Sequence, residues 1–217
     1  MKLDPEVLRI ARKELTNHLS SDLQYAVALR DFMKNKIDAK TYLESEFGFK
    51  KFILAYGIGR TLGAGDESKL KILEIIKSFA FEKSHAGTIT SMASYIQMNG
   101  LSSNAAKGGY GLPRSFCSKL MYVYKPDELI PYDSYVLKSL VSQFGGSIKE
   151  LHYYYDRANE FRFTFFPENG VEVRRLRKKH DDLYLTKMKS LRINPDKLFS
   201  WKLTDKYLWC EEQMKRS

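Results

Sequence analysis

The chain has 217 residues, 43% hydrophobic and 29% charged, a balance that fits a folded globular protein and excludes a disordered or fibrous one. Lys and Arg number 36 against 26 Asp and Glu, and the resulting charge of +10 points to a polyanionic partner, nucleic acid before an anionic membrane surface. No long uncharged apolar run offers a membrane span, no apolar signal core opens the chain, and the distant Cys117 and Cys210 form neither a disulfide framework nor a metal pattern.

From these features we expect a cytoplasmic monomer without metal or cofactor. The elements read almost entirely as helices. Asp4-Pro5-Glu6 marks a helix start, with Asp4 capping and Pro5 in the first turn, and Val7, Leu8, Ile10, Ala11, Leu15 and Leu19 follow at helical spacing. A second amphipathic segment carries Leu23, Ala26, Val27, Leu29, Phe32 and Met33, and residues 37–43 begin the next. An apolar stretch over 49–62 is closed by Gly63-Ala64-Gly65-Asp66. The spacing of Leu70, Ile72, Leu73, Ile75, Ile76 and Phe79 predicts a helix from Glu67, and residues 88–98 form another, ended by Asn99-Gly100.

Two further helices are predicted over 113–124 and 133–144, the second ended by Gly145-Gly146. Residues 161–166 alternate like a short strand, yet Phe161, Phe165 and Phe166 also suit a buried helical face, so both assignments stand. Pro167-Glu168-Asn169-Gly170 is a turn, followed by a basic helical segment over 171–191 and a last helix near 203–214. No internal repeat, low-complexity tract or Pro/Gly/Ser linker divides the chain. The expectation is a mainly α fold: one helical unit over 1–217, in one or two lobes.

The stretch Gly109-Tyr110-Gly111-Leu112-Pro113-Arg114 carries the most chemistry. A glycine turn between helices lets the backbone approach a ligand closely, because no Cβ obstructs it. Its N–H groups and the helix N-terminus near Pro113 would attract a phosphate oxygen, with Lys107, Arg114 and Lys119 adding positive charge. A plain inter-helix turn at Gly108, Gly109 and Gly111 is the structural alternative. Downstream, Asp133 follows Pro131-Tyr132 and opens an apolar helix through Val136, Leu137, Leu140 and Val141. It reads as an N-cap, and the same carboxylate can stabilise developing positive charge or activate water.

The order Gly-x-Gly, basic residue, apolar helix, Lys125-Pro126-Asp127, then Ile130-Pro131-Tyr132-Asp133-Ser134-Tyr135-Val136 resembles the helix-hairpin-helix DNA glycosylase superfamily, closest to its 8-oxoguanine-glycosylase-like branch. The resemblance covers about residues 108–140. It implies two helical lobes with a cleft between them, double-stranded DNA as partner, and a base flipped from the stack into a pocket. The aspartate that ends the family's motif is essential to breaking the N-glycosidic bond and maps onto Asp133. Arg114 sits about where bifunctional members place a Schiff-base lysine, and a guanidinium cannot serve as an amine nucleophile. The resemblance therefore implies base removal without strand cleavage. Lys119 is the nearby lysine that could restore lyase chemistry, and phosphate contact or a solvated helix face are its other roles. Leu112-Pro113 places one residue more than the family pattern between Gly111 and the basic position.

Tyr132 and Tyr135 flank Asp133 as candidates to line a base pocket. Trp201 and Trp209 join them, on a C-terminal segment that the family often folds back toward its pocket. Core packing is the alternative for each aromatic. Within Arg174-Arg175-Leu176-Arg177-Lys178-Lys179-His180, Arg174, Arg175 and Lys178 are candidate DNA-backbone contacts, with a solvated helix face as the competing assignment. Gly57-Ile58-Gly59-Arg60-Thr61-Leu62-Gly63 has the wrong spacing and context for a dinucleotide loop, and the four histidines lack metal-ligand spacing. A non-catalytic nucleic-acid-binding protein using the same turn and basic surface is the main competing function.

Overall fold

A computed structural model describes residues 2–59, 62, 65–79, 81, 85–102, 113–180 and 182–216. The fold is mainly helical, with no strand among the described residues. The chain divides into two compact units, a terminal one that combines the residues up to Leu23 with Lys125 onward, and a central one over Gln24–Tyr124.

The first helix, α1 (Pro5–Met33), starts as expected, with Asp4 Oδ1 accepting the N–H groups of Glu6 at 2.8 Å and Val7 at 3.1 Å. It does not stop near Ser20-Ser21, so the two predicted segments are one helix. Neither glycine nor proline interrupts them, and the Thr16 and Ser21 hydroxyls donate back to the carbonyls of Arg12 and His18 instead of breaking the ladder. The boundary between the units falls inside this helix, where no composition change marks it.

In the central unit α1 is followed by α2 (Ala39–Glu44), α3 (Phe49–Ala55), α4 (Asp66–Ser78), α5 (His85–Met98) and α6 (Arg114–Tyr124). Asp38 caps α2 through the Thr41 N–H. The apolar stretch predicted over 49–62 is helical only to Ala55, because Gly57 takes φ +63° and reverses the chain. The core collects aromatic rings: Phe32 stacks on Tyr42 with centroids 4.8 Å apart, and Phe49 meets Phe116 edge-on at 5.9 Å. Ile72, Ile76, Ile89, Met92, Ile96 and Leu120 complete it along α4, α5 and α6.

The terminal unit is built on the last helix, α11 (Pro195–Met214), which packs against α7 (Ser134–Phe144), α8 (Leu151–Phe165) and α9 (Val171–Lys179). The helix begins eight residues before the predicted Leu203, since Asn194 caps the Lys197 N–H at 3.1 Å and Pro195 suits the first turn. Leu198, Phe199, Leu203, Tyr207 and Leu208 are all buried, so α11 is enclosed on most of its circumference. Each such side chain contributes about 1.5–3 kcal/mol through burial.

Residues 161–166 belong to α8 and its C-cap and form no strand. Phe161 and Phe166 lie in the core while Phe163 faces solvent, which is a helical distribution. The basic segment over 171–191 is two helices, α9 and α10 (Asp182–Ser190), because the chain turns extended at His180. The His180 imidazole stacks on Phe199 with centroids 5.1 Å apart, a tertiary contact that secures the turn.

Candidate active site

Asp133 lies at the N-cap of α7 with φ −134° and ψ 143°, and its Oδ1 accepts the Tyr135 N–H at 2.8 Å. The carboxylate is half-buried, and among the described residues nothing donates to Oδ2. Capping thus fixes the direction of the group and leaves one oxygen to face a ligand. The preceding segment is tied down at two points. Asp127 Oδ2 accepts the Asn194 N–H at 2.8 Å, which joins the Lys125-Pro126-Asp127 turn to the start of α11. The Tyr154 hydroxyl donates to the Pro131 carbonyl at 2.5 Å.

The aromatic residues near Asp133 separate into two groups. Tyr132 is half-buried and meets Tyr154 edge-on at 4.9 Å, while Tyr135 lies 6.1 Å from Trp209 and carries the Arg216 guanidinium 4.6 Å above its ring. Tyr135 and Trp209 are therefore neighbours. Trp201 sits two turns earlier on α11, buried, with the Arg162 guanidinium 4.5 Å over its ring. Arg162 is itself satisfied by Asn159, Glu168 and Ser200, so this arrangement has the form of a core cation–π contact.

No family model matches this chain, and neither does any curated protein or solved structure.

The predicted hairpin residues Lys107, Gly109 and Gly111 lie outside the described residues, as does Gly108. Arg114 is the first residue of α6 and half-buried, and its Nε is enclosed without a hydrogen-bond acceptor among the described residues. A cation in the first turn opposes the helix dipole, so this guanidinium gains nothing from its own helix. Lys119, also on α6, donates from Nζ to the Tyr56 carbonyl at 3.0 Å, at the C-terminal end of α3. That carbonyl is a natural site for an ammonium group.

On α9, Val173 and Leu176 are buried while Arg174, Arg175 and Lys178 are exposed together on the opposite side. Arg174 donates to the Asn169 carbonyl, and Arg177 is bidentate to Asp196 at 2.8 and 2.9 Å. Arg175 and Lys178 have no ion pair among the described residues. Cys117 is buried, and burial pushes its thiol far above the ordinary range, so it is no nucleophile. Among the described residues no cluster of His, Cys, Asp and Glu could hold a metal, and no helix is long and apolar enough to cross a membrane.

A buried ionic cluster on α11 escaped the sequence reading. Lys202, fully buried on α11, is paired with Asp22 of α1, and Asp205, only 7% exposed, has the Lys206 ammonium 3.7 Å away. Burial holds the Asp205 carboxyl above the ordinary carboxylate range. Lys206 and Lys202 oppose that shift, and the charges of Asp133 and Asp22 add to it. One signal was available: Asp205 falls on the apolar stripe Leu198, Trp201, Leu208 of its helix.

Proposed function

We propose that this protein is a monofunctional DNA glycosylase, which flips a damaged or modified base out of duplex DNA and hydrolyses its N-glycosidic bond with Asp133 as the catalytic carboxylate. The observation that carries the reading is the half-buried Asp133, capped through Oδ1 and open at Oδ2, at the end of the Lys125-Pro126-Asp127 to Asp133 motif. In the reaction the bond from sugar C1′ to the base nitrogen breaks and its electron pair leaves with the base. Water adds to C1′, and its proton leaves through Asp133 or solvent. A carboxylate fixed in direction stabilises the positive, oxocarbenium-like sugar and orients that water.

The absence of lyase chemistry follows from residue type. Arg114 cannot form a Schiff base, and the Lys119 ammonium is engaged with a backbone carbonyl. Both serve the DNA backbone in this reading, together with Lys107, Gly109, Gly111 and the exposed Arg174, Arg175 and Lys178. Tyr132, Tyr135 and Trp209 are the aromatics assigned to the flipped base. The buried Trp201 supports the helix that carries Trp209. In fold terms the reading corresponds to a helix-hairpin-helix glycosylase with two helical lobes and a DNA-binding cleft, acting as a monomer in the cytoplasm.

The deciding experiment incubates the protein with an 8-oxoguanine duplex and with a panel of damaged and phage-modified DNAs, and identifies freed bases by mass spectrometry. Release by the wild type, lost in Asp133→Asn with DNA binding retained, is the expected result. DNA binding without release from any substrate overturns the enzyme and leaves a nucleic-acid-binding protein. A covalent adduct trapped by borohydride on the DNA overturns the monofunctional chemistry alone.

A further inference from the structure

One residue outside the motif holds the segment before Asp133 from another helix of the terminal unit. Tyr154 of α8 is fully buried, and its ring packs edge-on against Tyr132 at 4.9 Å and Tyr155 at 5.2 Å. Its hydroxyl donates to the Pro131 carbonyl at 2.5 Å. One phenol thus grips both the Pro131 backbone and the Tyr132 ring, immediately before the residue that caps α7.

We infer that Tyr154 is a positioning residue for Asp133, clamping the backbone from which the carboxylate projects. The inference rests on the reading of Asp133 as the catalytic carboxylate. Tyr154 does not touch the sugar; it restrains where the carboxylate points.

The first test uses the whole chain without DNA, so its outcome is independent of whether any base is released. In Tyr154→Phe, which keeps the packed ring and loses the bond to the Pro131 carbonyl, the amides of residues 132–135 are expected to exchange with solvent at least about tenfold faster, a loss of protection confined to the region of the clamp. Unchanged exchange there overturns the role of Tyr154. On the 8-oxoguanine duplex, Tyr154→Phe should lower kcat about ten- to a hundredfold while duplex affinity stays the same, as for a misdirected group. Equal kcat for Tyr154→Phe and an active wild type overturns the clamp. Failure of the wild type to release any base counts against the glycosylase reading, while the exchange measurement still decides the clamp.

Discussion

The ammonium group of Lys202 is paired with the carboxylate of Asp22 in the interior of the terminal unit, with only 1% and 12% of their side chains exposed. The pair joins α1 to α11, residues 180 positions apart in sequence. Breaking it by Lys202→Met leaves Asp22 buried without its partner and should destabilise the protein by about 3–5 kcal/mol in urea unfolding. The double variant with Asp22→Leu should recover most of that loss, since burying two apolar groups costs no desolvation of charge. Equal stability of single and double variants would remove the pair from the account.

Asp205 makes a prediction in pH. Its folded carboxyl is held above the ordinary range, by burial first. A group with a raised folded pKa contributes stability that is fully present below the unfolded value of about 3.9 and is lost as pH rises through the folded value. The Tm of the wild type should therefore fall relative to Asp205→Asn as pH is raised from about 4 toward neutrality. Parallel Tm curves over that interval would contradict the shift.

Asp133 has a capping role and a proposed chemical one, and two substitutions separate them. Asn keeps a side-chain oxygen for the Tyr135 N–H, whereas Ala does not. Asp133→Ala should lose about 1 kcal/mol of stability, and Asp133→Asn much less. Both should lower base release about a hundred- to ten-thousandfold, since both remove the charge. Thermal melts and single-turnover base release measure the two effects independently.

The exposed stripe of α9 predicts a salt effect. Arg174, Arg175 and Lys178 lie opposite the buried Val173 and Leu176, so replacing the three with Ala should hardly alter the core. If each meets a phosphate, the slope of log affinity against log salt for duplex DNA should fall in magnitude by about 0.9 for each phosphate no longer neutralised. Fluorescence anisotropy at several KCl concentrations gives the slope directly. An unchanged slope would assign the stripe to solvent.

Much of the local structure was legible in the residues because its causes are local. Asp4, Asp38 and Asp133 cap helices that their own sequence announces, and Asn99-Gly100 and Gly145-Gly146 end helices where a left-handed backbone is needed. Where two patterns competed, packing decided. The alternation over 161–166 became helical because Phe161 and Phe166 both reach the core, and the basic segment broke at His180 because its ring stacks on Phe199, nineteen residues further along.

The candidate site divides along the same line. The sequence by itself determined that Asp133 opens a helix behind a proline-aspartate turn, since capping depends on residues within three positions. It also determined that the chain is basic and that Arg114 cannot act as an amine nucleophile. Only the tertiary structure decided that Tyr154 clamps the Pro131 carbonyl, that Asp205 lies buried, and that Lys202 meets Asp22. Charged residues on a helix ordinarily imply solvent, and the burial of these depends on side chains from α1, α7, α8 and α11 that are brought together only when the terminal unit folds.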